Sequence, residues 1–132
     1  MLSTIRWVRV IIGGVLSEVG VIAILLISLT LYTRLIATEI SDTDRQTLGE
    51  RVGYYVAPTA GFFTTMAAAL WAARGLTADF SVNGLMVGVI SVAISAPFFF
   101  TAKPEHRVMY SVAFALRVTA GYIGGALARA WR

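Results

Sequence analysis

The sequence predicts an all-α integral membrane protein, a bundle of four transmembrane helices connected by short loops. Hydrophobic residues make up 58% of the chain and charged residues 14%, whereas soluble domains average about 25% charged residues. The apolar residues fall into four blocks, each near the length of about 20 residues that a helix needs to cross a bilayer. Since the polar stretches between the blocks are short, we expect residues 1–132 to form a single transmembrane domain.

The predicted spans cover about residues 7–35, 54–74, 80–101 and 108–129. Arg6 and Arg9 precede the apolar run of the first span, as basic residues precede the core of a signal peptide. The apolar run that follows is longer than the roughly 7 to 15 residues of such a core. We therefore expect the first span to remain in the membrane as a helix.

Residues 38–53 form the longest polar stretch and predict a surface loop. Thr47, followed three residues later by Glu50, is typical of a capping box, which predicts a short surface helix that begins there and leads into the second span. An alternative is a metal site built from the loop carboxylates and His106. Because their spacing matches no calcium-binding loop, we predict no metal site.

The connection between the second and third spans carries the signal of a helix end. Arg74-Gly75 followed by Leu76 predicts glycine in the left-handed conformation and an apolar contact just after it. Thr77 or Asp79 is then available to cap the third span.

Aromatic residues predict which ends of the spans share a side of the membrane. Two groups result: Trp7, Trp71 and Trp131 on the side of the termini, and Tyr32, Tyr54, Tyr55, Phe98, Phe99, Phe100 and Tyr110 on the other. Such groups form belts at the two membrane interfaces. Basic residues in the loops and at the ends of the spans divide equally, with five on each side. We expect both termini in the cytoplasm, because acidic residues surround three of the five basic residues on the opposite side.

Two opposite charges lie deep within apolar spans, Glu18 in the first and Arg117 in the last. An ionised side chain at the middle of a membrane helix costs roughly 2.5 to 3.5 kcal/mol. We therefore predict a buried Glu18–Arg117 ion pair that locks the first helix to the fourth, with the two helices adjacent and antiparallel. In that register Gly14 faces Gly121, as in small-xxx-small packing. The rival interpretation is that the two charges line a path for an ion or polar solute.

Small residues recur at helical spacing on other spans as well. Gly84 and Gly88, with Ser91 and Ser95, share a face of the third span, and Gly125 follows Gly121 by one turn on the fourth. A further series on the second span consists of Pro58, Gly61, Thr65, Ala68 and Ala72. These faces predict helix packing within the bundle, and a homo-oligomer that uses the third span is the alternative.

Sequence motifs for catalysis are absent. The chain contains no cysteine, no Gly-x-Ser-x-Gly, no P-loop and no His-Glu-x-x-His, and its one histidine, His106, lies between spans. We therefore expect no enzyme activity and no cofactor. The formal charge of +4 arises from basic residues that flank the spans and face lipid head groups, so we expect the lipid bilayer, and not nucleic acid, as the partner.

Gly13-Gly14 and Ser17-Glu18-Val19 resemble the small multidrug resistance transporters, whose pattern places a glutamate in the first of four helices for proton and cation exchange. The chain differs from that family in its long first loop and in Arg117. The resemblance implies a small proton- or ion-coupled transporter or channel that uses Glu18.

A second resemblance extends over nearly the whole chain. It rests on Arg9 with Gly13-Gly14, Ala57-Pro58 with Gly61, Trp71, the segment from Asn83-Gly84 to Gly88, and Gly121 with Gly124-Gly125. In these residues the chain is similar to small four-span bacterial inner-membrane proteins of unknown function. That resemblance implies a multi-pass protein of the bacterial inner membrane. We expect a non-enzymatic accessory or scaffold subunit of a larger membrane complex, or a self-associating bundle.

Overall fold

The computed structural model describes residues 4–35 and 41–131, and within these ranges the chain forms four long helices. Their bounds are α1 (Trp7–Leu35), α2 (Asp42–Ala73), α3 (Phe80–Thr101) and α4 (Arg107–Ala130), with a short 3-10 turn at Pro104–His106. The described residues contain no β-strand. The all-α prediction is therefore confirmed.

All four helices are long and apolar enough to cross a membrane. In the most apolar stretch of each helix, between 28% and 39% of the residues are buried inside the bundle. The remaining apolar residues lie on the outside, where a soluble protein would carry polar residues and where lipid requires apolar ones. The chain is a multi-pass membrane protein.

Helix α2 begins well before the predicted second span. The Ser41 side chain accepts a hydrogen bond from the backbone nitrogen of Asp44 at 3.2 Å and caps the helix. The predicted loop over residues 41–53, with a helix start at Thr47, is therefore wrong, and the Thr47 hydroxyl instead donates to the Thr43 carbonyl at 3.2 Å. Residues 38–40 of that loop lie outside the described ranges. At about 1.5 Å per residue, α2 exceeds the roughly 30 Å of the hydrocarbon core, so its polar first turns project from the membrane.

The turn between α2 and α3 agrees with the prediction from sequence. Gly75 has a φ of +80°, which is the left-handed conformation expected there. Leu76 is 5% exposed and packs with Phe80 and Ala128. Asp79 occupies the N-cap position of α3 without a capping hydrogen bond from its side chain.

The four helices surround the bundle axis in the order α1, α2, α4, α3. Helix α1 packs against α2 and α3, and α4 packs against the same two helices, whereas the described parts of α1 and α4 have almost no direct packing. The predicted adjacency of the first and fourth helices is therefore wrong. They lie at opposite corners of the bundle, separated by α2 and α3.

Glycines bring the backbones of α3 and α4 into direct contact. A Cβ added to Gly84 would lie 2.7 Å from the Gly125 Cα, and one added to Gly121 would lie 3.0 Å from the Gly88 nitrogen. The predicted pairing of Gly14 with Gly121 does not occur. Gly14 faces Ile90 and Ser91 of α3 instead, because α1 lies across the bundle from α4.

Candidate functional site

Glu18 and Arg117 meet across the middle of the bundle. The Arg117 Nη1 donates a hydrogen bond to the Glu18 Oε1, although the two residues lie 99 positions apart in the chain. Their side chains are 13% and 7% exposed, respectively. The two residues of the predicted pair are therefore in contact. Their long side chains extend toward each other from helices at opposite corners of the bundle, and not from adjacent helices.

Two serines of α3 also donate hydrogen bonds to the carboxylate. The Ser91 hydroxyl donates to the Glu18 Oε1 at 2.6 Å, and the Ser95 hydroxyl donates to the Oε2 at 2.7 Å. The Ser95 oxygen also accepts from the Arg117 Nη1 at 2.6 Å. Hydrogen bonds that involve a charged partner are shorter and about twice as strong as neutral ones. Both carboxylate oxygens are therefore satisfied by protein groups in a cluster that carries one positive and one negative charge.

The spacing of residues in α3 explains how this helix contacts both Glu18 and Arg117. Ser91 and Ser95 are four residues apart, so their hydroxyls lie one turn apart on the same face. Gly88 lies nearly one turn before Ser91 on this face, and a Cβ there would meet the backbone of Arg117 and come within 2.9 Å of the Val118 Cα. Its lack of a side chain lets α4 approach α3 closely enough for the Arg117 side chain to reach the serines.

On α2, the residue beside the guanidinium is Gly61, which leaves room for the Arg117 side chain. A Cβ added to Gly61 would lie 2.7 Å from the Arg117 Nε and 3.3 Å from the Nη2, so the guanidinium passes directly over this glycine. The Nε is buried and has no hydrogen-bond partner among the described residues. All hydrogen bonds from Arg117 to described side chains come from Nη1.

A second buried polar contact lies beside the charge cluster. The hydroxyls of Ser17 in α1 and Thr65 in α2 are 2.7 Å apart, and either can donate. Both residues are fully buried. This contact ties α1 to α2 at the level where Glu18 ties α1 to α3 and α4.

In the sequence, Ser91, Ser95 and Thr65 fit the pattern of small packing residues, and that pattern does not indicate their polar roles. For Ser91, the position along its helix indicates a polar role. Glu18 and Ser91 each lie eleven residues after the first residue of their helix, and α1 and α3 run in the same direction across the membrane. Equal depth, together with the need of a buried carboxylate for hydrogen-bond donors, points to Ser91 as a partner.

Apart from Glu18, the segment that resembles the small multidrug resistance transporters packs α1 against α2 and α3. Gly13 contacts Val87 and Ala72, Gly14 contacts Ile90, and Ser17 bonds to Thr65. Comparison with protein-family models, curated proteins and solved structures finds no match to the chain.

Proposed function

We propose that this chain is a non-enzymatic membrane protein, an accessory or scaffold subunit or a self-associating bundle, whose helices are locked together by the Glu18–Arg117 pair. The observation that carries this proposal is that both oxygens of the Glu18 carboxylate accept hydrogen bonds from protein groups, namely Arg117, Ser91 and Ser95. One cluster thereby joins α1, α3 and α4.

The balance of charge in the cluster supports a structural role. A carboxylate that reacts with or carries a solute needs a position open to that solute, whereas here both oxygens are occupied by protein donors. Breaking a buried pair by removal of one partner costs about 3 to 5 kcal/mol, because the other charge is left uncompensated. The pair therefore penalises arrangements in which α1 separates from the other helices.

The setting that we propose is the bacterial inner membrane, with both termini in the cytoplasm. The termini side carries Arg6, Arg9, Arg74 and Arg129, with Arg132 outside the described residues. Basic residues favour the cytoplasmic side of short loops. Of the five basic residues on the opposite side, Lys103 lies 3.8 Å from Glu50, so its charge is partly balanced.

Purification of the tagged full-length protein from native membranes, followed by mass measurement of the intact assembly, tests the proposal. We expect a mass well above the 14.2 kDa of one chain, from additional protein subunits or further copies. The E18Q/R117L double variant, which removes both charges, should remain in the assembly to a larger extent than the R117L single variant. Recovery of a lone 14.2 kDa chain under the mildest solubilisation contradicts the proposal.

A small proton- or ion-coupled transporter that uses Glu18 is the second candidate. The observation in its favour is that the Glu18 side chain retains 13% exposure and lies just before the part of α1 that lacks buried residues. This role requires Glu18 to leave Arg117 during the transport cycle.

Flux measurements in proteoliposomes separate the two candidates. Transport predicts proton-coupled uptake or release that is abolished by E18Q and retained by E50Q. Glu50 is a suitable control because it is an exposed glutamate in the polar first part of α2, where it lies 3.8 Å from Lys103. Equal behaviour of wild type, E18Q and protein-free liposomes rejects transport of the ions tested.

A further inference from the structure

A cavity of about 460 Å³ lies at the end of the bundle where α2 and α4 terminate and α3 begins. This volume falls within the range of about 300 to 1,000 Å³ that is typical of ligand pockets. Its walls are mainly apolar and include Trp71 and Trp131, and we call it the Trp71–Trp131 cavity. None of its lining residues belongs to the Glu18–Arg117 cluster.

Polarity changes along the α2 wall of the cavity. The lining residues on this helix run from Ala67 and Leu70 to Trp71 and Arg74. From Ala67 to Arg74 the helix rises roughly 10 Å at about 1.5 Å per residue. The apolar end therefore points to the membrane interior, and the guanidinium lies near the end of the span, at head-group depth. A phospholipid in the same leaflet has the same order, with the acyl chains inside and the phosphate at the surface.

The rim of the cavity carries an excess of positive charge. The Arg9 guanidinium lies 5.2 Å over the Trp71 ring and donates to the backbone oxygens of Arg74 and Trp71 at 2.8 and 3.0 Å. These neutral acceptors hold Arg9 in place without cancelling its charge. Arg74 is exposed, and its guanidinium forms no ion pair with any residue in the described ranges. Asp79 is the one acidic residue at this end among the described residues.

We propose that the Trp71–Trp131 cavity binds an anionic phospholipid of the surrounding membrane, with the lipid phosphate on Arg74 and part of an acyl chain against Ala67 and Leu70. The charge on the rim complements the phosphate, and the apolar wall complements the chain. A soluble anion would contact Arg74 but would leave the apolar wall uncovered. A basic residue at an anionic membrane surface contributes about 1 kcal/mol, which corresponds to roughly fivefold in affinity.

Quenching of tryptophan fluorescence by brominated lipids tests this proposal on the full-length protein in detergent. We expect brominated phosphatidylglycerol to bind roughly fivefold or more tightly than brominated phosphatidylcholine. R74Q should lower the affinity for phosphatidylglycerol about fivefold and the affinity for phosphatidylcholine by a smaller factor, because the choline cation of that lipid offsets its phosphate. R129Q is the matched control, because Arg129 is an exposed arginine in the last turn of α4 that does not line the cavity. R129Q should change the affinity for each of the two lipids less than twofold.

A second pair of variants tests the cavity itself. Ala67 is exposed on the surface of α2, so A67F can fill the apolar end without entering the core, and it should reduce quenching by both lipids. A23F, at an exposed position of α1, should leave the quenching by both lipids unchanged. Equal affinity for the two lipids overturns the proposal in favour of binding through the apolar wall alone, and equal losses in R74Q and R129Q overturn it in favour of diffuse attraction to the basic surface. Displacement of the lipid by inorganic phosphate, but not by chloride at the same ionic strength, overturns it in favour of a soluble anion.

Discussion

The two halves of α1 are held in the bundle to very different extents. In the first half, buried residues recur at Val10, Gly13, Gly14, Ser17 and Val21. From Ile22 to Leu35 none of the residues is buried. Both halves are apolar, so hydrophobicity alone does not distinguish them.

Close packing and polar contacts account for the difference. Directly before the first half, the Arg6 backbone nitrogen donates to the Asn83 side chain at 2.9 Å. Within it, Arg9 donates to the backbone oxygens of Trp71 and Arg74, and Glu18 joins the charge cluster. In the second half, the Thr33 hydroxyl bonds only to carbonyl oxygens of its own helix. Lipid tails are as apolar as a helix surface, so an apolar face gains little from another helix unless the two pack closely or share hydrogen bonds. The position of α1 is therefore determined by its first half.

Loss of Arg117 should weaken this anchoring most. R117L leaves the Glu18 carboxylate in the bundle without its counter-charge, and we expect a loss of about 3 kcal/mol in the free energy of unfolding. Unfolding by sodium dodecyl sulfate in mixed micelles measures the change. E18Q/R117L should recover part of the loss, because the uncompensated charge is gone. A double-mutant cycle without coupling would show that the pair does not hold α1.

Gly14 tests whether close approach to α3 is also required. An alanine Cβ there would overlap the Ile90 side chain and lie 2.9 Å from the Ile90 Cβ, so we expect G14A to destabilise by about 2 kcal/mol. G49A is the matched control, since no atom lies within 4 Å of a Cβ at that helical position. It should stabilise by up to about 1 kcal/mol through helix propensity. The same denaturation assay measures both variants. A change in the free energy of unfolding that has the same sign in G14A and G49A argues against close packing at Gly14.

Paired truncations compare the two halves directly. Val10 is fully buried and Leu26 is 60% exposed. V10A should destabilise by about 1 kcal/mol, because it leaves a cavity between helices, whereas L26A should change stability by less than about 0.5 kcal/mol. Since the chain contains no cysteine, single cysteines at exposed Val19 and Leu26 can also carry spin labels. We expect the label in the second half to be the more mobile, and equal mobility would remove the distinction between the halves.

Loss of the Ser17–Thr65 hydrogen bond should change the free energy of unfolding less than the changes described above. Interhelical hydrogen bonds in membrane proteins couple by about 0.6 kcal/mol on average. A double-mutant cycle of S17A and T65A in the denaturation assay should return a coupling energy of that order. A coupling above about 2 kcal/mol would instead give this contact a weight comparable to that of the charge pair.

Part of the site could be predicted from the sequence because a charge within an apolar span demands a partner. Only Glu18 and Arg117 offered opposite charges at matching depth, so their contact follows from energetics without knowledge of helix order. Gly61 and Gly88, which make room for Arg117, were recognisable as small residues on a helical face. Their specific role depends on where the guanidinium passes, and that depends on the three-dimensional arrangement of α2 and α3 around it.

The sequence by itself determined the number of spans and most of their ends. Long apolar runs, Gly75 and the residues that flank the membrane are local signals, so α1 and α3 begin and end where they were predicted. Only the tertiary structure decided which helices are neighbours and placed α1 diagonally across from α4. The physical reason lies in the lipid: lipid-facing and buried faces of a membrane helix are both apolar. Periodicity therefore does not reveal the partner, and the fit of small residues against specific side chains selects it.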